Sequence, residues 1–164
     1  KGAAHLITLH VCGKALGVSG ALLCLPATLA GYFVNHARSF IYSTAPSPLI
    51  AEGVRAALRI VRDEPERRDR LKVLCRYAGN TLASTLGIPP SYSQIQPVLI
   101  GDNARASRIA GLMQEEGFDI RAIRPPTVAI GTARLRISIT LNVDEAQIAA
   151  MTERLASNLK AVMP

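Results

Sequence analysis

Between Lys1 and Thr44 the chain has no acidic side chain, so Lys14, set in the run "HVCGKALGVSGA", has no nearby carboxylate in sequence to neutralise it. Aromatic residues make up only 4% of the chain, which leaves little for stacking on nucleic-acid bases. Three cysteines, Cys12, Cys24 and Cys75, show neither C-x-x-C nor any other metal-ligand spacing. Their odd number and apolar settings argue against a disulfide framework and predict buried thiols. Internal repeats and low-complexity segments are missing, as is a basic start followed by a small-residue cleavage site. From Ala15 to Ala37 there is no acid, lysine or arginine, a stretch long enough to span a bilayer. Gly17, Gly20, Pro26 and Gly31 interrupt it, however, and its periodicity changes. It therefore predicts a short buried strand over "ALLCL" (21–25) and then a helix over 26–37 opened by Pro26, with no membrane span.

What is present fits a globular α/β protein: 164 residues, 49% of them apolar, are enough to bury a core. The net charge of +7 is scattered, and the densest run, "RDEPERRDR" (62–70), interleaves acids with its arginines. That pattern predicts a solvated mixed-charge helix face, with some attraction for anionic substrates, rather than a nucleic-acid stripe. The chain begins with Lys1 and runs straight into "AHLITLHV", which reads as the cut edge of a larger domain.

"HLITLHV" (5–11) is apolar and β-branched and predicts a buried strand; "SFIYST" (39–44) predicts a further extended piece stopped by "APSP". Apolar spacing from Leu49 to Val61 predicts a helix, and Pro65 restarts a second one that stops at Gly87. After residue 90 the pattern is strand ("SQIQPVLIG"), helix (102–117, capped by Asp102 or Asn103), strands ("FDIRAI", "ARLRISITL") and a closing helix. Asn142 and Glu145 have capping-box spacing for that last helix. The expected organisation is the end of a large domain over 1–46, connecting helices over 47–88, and a C-terminal α+β small domain over 89–164.

Three readings of Lys14 start from its neighbours. A phosphate-binding loop fails, because Thr8 and Ala15 stand where glycine and Ser or Thr are required. A lysine snorkelling from an apolar turn is the bland alternative. The chemical one is an amine whose nucleophilicity is used, since a desolvated lysine attacks carbonyls. Gly13, Ala15, Gly17, Ser19 and Gly20 would let the backbone approach a flat ring and its phosphate.

"CGKALGVSGA", "FIYSTAPSP", "IQPVLIGDNARA", "IRPPTVAIGTARLRIS" and the closing helix follow one another in the order found in the α-oxoamine synthases. The chain closely resembles the C-terminal part of the 8-amino-7-oxononanoate synthase family among these fold-type I enzymes, which depend on pyridoxal 5'-phosphate (PLP). The resemblance implies the end of the large-domain sheet plus the small domain of that α/β fold. It also implies a cytoplasmic homodimer that condenses L-alanine with a pimeloyl thioester, on CoA or acyl carrier protein, in biotin synthesis. Lys14 would bind PLP through a Schiff base and act as the catalytic base, and Arg136 would bind the amino-acid carboxylate. Thr127 would contact substrate, and Ser43 and Thr44 would reach the PLP phosphate of the neighbouring subunit. Independently, Leu135, Ile137 and Ile139 alternate with Arg134, Arg136 and Ser138, which puts Arg136 on the polar face of a strand. No family role falls on His5, His10 or His36, and no metal is implied.

Two departures and one absence qualify the resemblance. Val11 stands where a phosphate-binding threonine is usual, and Ala129 where proline is usual. Family members are longer on the N-terminal side, where the ring-stacking residue and the aspartate for the pyridinium nitrogen lie. The 164 residues alone are therefore expected to be inactive and to expose apolar sheet edges at "HLITLHV". The competing expectations are another α-oxoamine synthase using glycine or serine, a non-catalytic remnant domain, and a basic nucleic-acid binder.

Overall fold

The computed structural model describes residues 5–162, which divide into two compact units meeting at Pro65 and Glu66.

In the first unit, β1 (Thr8–Val11) pairs antiparallel with β2 (Ala21–Cys24), in the register Thr8 to Cys24 and Val11 to Ala21. Helix α1 (Ala27–His36) follows Pro26, a residue whose fixed φ suits a helix start. The expected extended piece at 39–44 is instead a short helix, α2 (Arg38–Ile41). The N–H groups of Phe40 and Ile41 donate to the Ala37 carbonyl, and that of Ser43 to Phe40. With no strand alongside among the described residues, the backbone satisfies its donors locally, and this outweighs the strand preference of Phe40, Ile41 and Tyr42. Helix α3 (Pro48–Asp63) is capped by Ser47, whose Oγ accepts from Leu49 N at 3.3 Å.

The strands of this unit were expected to be buried and are not. All four β1 residues are exposed, Leu9 and Val11 by 64% and 60%, and no residue of α1 is buried. Among the described residues of the unit only Cys12 and Val54 are buried. An apolar β-branched run supplies strand propensity, whereas burial needs a second layer, and no described residue forms one here.

The second unit has that layer. Helix α4 (Glu66–Leu86) ends at Gly87, where φ is +66°. Strand β3 (Ile95–Gly101), helix α5 (Asn103–Glu115), strands β4 (Arg121–Ile123) and β5 (Ala133–Ser138), and helix α6 (Glu145–Ala161) follow. The strands form an antiparallel sheet in the order β3-β5-β4, with β5 central. Val98, Leu135 and Ile137 pack with Leu74, Leu82, Ile109, Met113, Met151 and Leu155 of the helices in one core. Burying a side chain of this size contributes roughly 1.5–3 kcal/mol. The cap of α6 is Asp144, not the expected Asn142: its Oδ1 accepts from Gln147 N at 2.8 Å, and Gln147 Oε1 accepts from Asp144 N at 3.0 Å. A carboxylate two residues on gives a charged acceptor at the positive helix end. Asp102 caps α5 through Arg105 N at 2.7 Å.

Candidate functional site

Lys14 lies in the connection between β1 and β2. That connection is closed by backbone bonds from Cys12 N to Gly20 O (2.9 Å), Gly17 N to Lys14 O (3.0 Å) and Val18 N to Cys12 O (3.2 Å). Gly17 and Gly20 have φ of +65° and +98°, a region that side-chain-bearing residues rarely adopt, so the turn needs glycine at both points. Cys12 is buried beneath the turn, 1% exposed. Val18 packs on Gly53 of α3, where a Cβ would meet Val18 Cγ2 at 3.3 Å, so the helix seats against the loop. This fixed backbone leaves the Lys14 side chain exposed, with no hydrogen bond or ion pair to any described residue.

Whether the turn suits PLP is tested by the space and the donors around it. Lys14 is exposed, and a Cβ at Gly17 or Gly20 would meet nothing within 4 Å, so those glycines serve the positive φ of the turn and do not make room. The amine fits the aldehyde of the group. The Val11 side chain offers the phosphate no donor. Ser43 Oγ donates to Ser39 O at 2.9 Å, so binding a phosphate through its hydrogen requires that hydroxyl to rotate; Thr44 is exposed. The first acid in the sequence is Glu52, on α3 beside Gly53, and its carboxylate is engaged by Arg55 Nη1 at 3.0 Å. The chain thus offers an exposed, unpaired amine and, at most, part of a phosphate site. Ser43 and Thr44 share a unit with Lys14, but no hydrogen bond joins them to it.

Arg136 and Thr127 lie in the second unit. On β5, Ala133, Leu135 and Ile137 are buried and Arg136 is exposed, as the alternation of the sequence requires. Arg136 sits on the central strand, opposite Pro97 of β3 and Arg121 of β4, and makes no hydrogen bond or ion pair to any described residue. An unpaired guanidinium on a rigid strand can grip a carboxylate with two parallel bonds. Thr127 belongs to the β4–β5 connection; its N–H donates to Arg124 O at 3.0 Å and its side chain is exposed. The cross-strand placement of Arg121 escaped sequence reasoning, because register is set by pairing and no local pattern carries it.

Of the thiols, Cys12 and Cys75 are buried as expected and Cys24 is exposed, because the β2 face that bears it has no cover among the described residues. Burial pushes the Cys75 thiol above its ordinary pKa. No helix among the described residues is long and apolar enough to cross a membrane. The acid-free stretch instead forms β2 and α1.

A family model for aminotransferase class I and II matches residues 1–155. An 8-amino-7-oxononanoate synthase from Methylococcus capsulatus is 42% identical over 145 residues, which are 88% of this chain and 38% of that protein. The chain spans about a third to two fifths of the length of the curated relatives it matches. Among solved structures, an 8-amino-7-oxononanoate synthase from Francisella tularensis superposes with a TM-score of 0.79 at 26% identity, covering 95% of this chain and 46% of that one. A serine palmitoyltransferase from S. paucimobilis with bound PLP–myriocin gives 0.84 at 21% identity, covering 95% and 40%, a likeness of fold. The expected resemblance and the fold-type I assignment both hold.

Proposed function

The chain belongs to the aminotransferase class I and II family, and from that premise we propose that it carries the lysine- and arginine-bearing part of a PLP-dependent 8-amino-7-oxononanoate synthase. The proposed reaction joins the α-carbon of L-alanine to the carbonyl of a pimeloyl thioester, releasing carbon dioxide and the thiol of CoA or acyl carrier protein, as a step of biotin synthesis. Residues 1–46 would end a large domain and residues 89–164 form the small one, in a cytoplasmic homodimer.

Bound PLP supplies an electron sink for the carbanion at the alanine α-carbon. The Lys14 ε-amine would hold the group by its aldehyde end; displaced there by the amino group of alanine, the freed amine would take the α-proton, and it would regain the aldehyde end as product leaves. Arg136 orients the substrate by its carboxylate, fixing which α-carbon bond faces the lysine. Thr127 would add a hydroxyl beside the substrate, and Ser43 and Thr44 would donate to the phosphate of the group bound in the neighbouring subunit. The groups that stack on the ring and hold its nitrogen would come from a further polypeptide segment, so turnover by these 164 residues alone is not expected.

The observation that carries this reading is the Lys14 turn: an exposed amine with no hydrogen-bond or ion-pair partner among the described residues, on a backbone shaped by Gly17 and Gly20. The test is PLP followed by borohydride reduction, with mass mapping. The expected label falls on Lys14, is lost in Lys14→Ala and is kept in Arg136→Ala. Equal labelling of Lys72 and Lys160 would sink the assignment.

A further inference from the structure

The outer face of the β3-β5-β4 sheet carries more positive charge than one amino-acid carboxylate can use. Arg121 stands directly across from Arg136, and both are exposed. Side chains so opposed have Cβ atoms about 5 Å apart, and like charges in that position are destabilising. Residues 89–101 and 118–141 contain four arginines (121, 124, 134 and 136) and one acid, Asp119. Asp119 Oδ1 holds Arg121 Nε at 2.6 Å, leaving the two Nη groups of Arg121 without a described partner. On the other side of Arg136 the β3 column is apolar, with Pro97 in the same rung and Leu99, 66% exposed, in the next.

We infer that Arg121 and Arg136 form a two-guanidinium site, in which Arg136 takes the amino-acid carboxylate and Arg121 takes a second oxyanion carried by the acyl donor. This rests on the proposed role of Arg136. A carboxylate occupies one guanidinium fork, so the fork across the strand is left for another anion. That anion is either the free carboxylate at the far end of a dicarboxylic acyl chain or the phosphate of the carrier arm. The apolar column gives methylene groups a surface to lie on. Arg121 on this reading is a specificity residue, favouring anionic donors over plain fatty acyl ones.

The test follows the arginine Nε–Hε signals of the labelled chain during titration with heptanoate, pimelate and phosphopantetheine. Heptanoate is expected to move Arg136 alone. Pimelate moving both signals, with affinity about fivefold above heptanoate, assigns the acyl carboxylate. Phosphopantetheine moving Arg121, while pimelate moves Arg136 only, assigns the carrier phosphate. Arg121→Gln should remove the gain and leave heptanoate binding unchanged, whereas Arg124→Gln, the same charge change outside the rung, should leave the gain intact. A silent Arg121 with all three probes, or equal weakening by Arg124→Gln, overturns the inference while the role of Arg136 stands. A silent Arg136 overturns both.

Discussion

Gln96 shows how one side chain can hold a loop in place. It is 2% exposed, and its Nε2 donates to Ser91 O and Ser93 O at 2.8 Å each, with a longer contact to Cys75 O at 3.5 Å. Leucine would fill the space and leave those carbonyls unpaired, so Gln96→Leu is expected to lose about 2 kcal/mol in urea unfolding. Cys75 offers a second test at this scale. Because the folded thiol binds its proton more tightly than the unfolded one, its contribution to stability is full below the ordinary thiol pKa. That contribution fades as pH rises through the folded value. Iodoacetamide at neutral pH should therefore modify Cys24 first and leave Cys75 intact until the second unit unfolds, a sequence that peptide mapping reads directly.

At the level of elements, the informative contact is the one between α4 and the segment before β3. Gly79 faces Ser91 so closely that a Cβ would collide with the Ser91 carbonyl oxygen. Gly79→Ala should thus lower stability by about 1–2 kcal/mol, overpacking exceeding the gain in helix propensity, as a shift of the denaturation midpoint. Asp144→Ala should cost about 1 kcal/mol through the lost cap, with Asp144→Asn restoring most of it. The sequence made several of these elements legible, and the reason differs from one to the next. Pro65, Gly87 and Gly117 punctuate the backbone by their own φ preferences, so the helix limits could be read from them. The alternation of β5 placed Arg136 outward because pleating alone decides it. The 39–44 segment misled because β propensity reports a pleated neighbour, and none of the described residues forms one there. Lys14 was legible as an odd cation, and the role proposed for it comes only through the family motif; the placement of Arg121 was not legible at all.

Across the whole molecule burial is uneven. The second unit holds the entire continuous core, while the first exposes Leu6, Ile7, Leu9, Val11, Val34 and Phe40. An open groove of about 480 Å³ is lined by Leu9, Leu23, Phe33, Val34 and Phe40. Amide exchange should accordingly be slowest in β5 and α6 and fastest in β1 and β2, with protection factors differing by orders of magnitude. The hydrophobic dye ANS should bind the intact chain strongly, and Leu9→Lys combined with Phe40→Ser should reduce that fluorescence.

The scarcity of buried side chains around the Lys14 turn has a consequence for affinity. A turn whose ordered form is populated in only a fraction of molecules binds its ligand more weakly by that same fraction, tenfold for each ~1.4 kcal/mol of ordering. Whatever polypeptide covers β1 and α1 would raise that population and so act as a cooperative effector of cofactor binding. By reciprocity, the cofactor would tighten the grip of that covering segment. Loading the lysine and completing the fold would then be two measures of a single equilibrium.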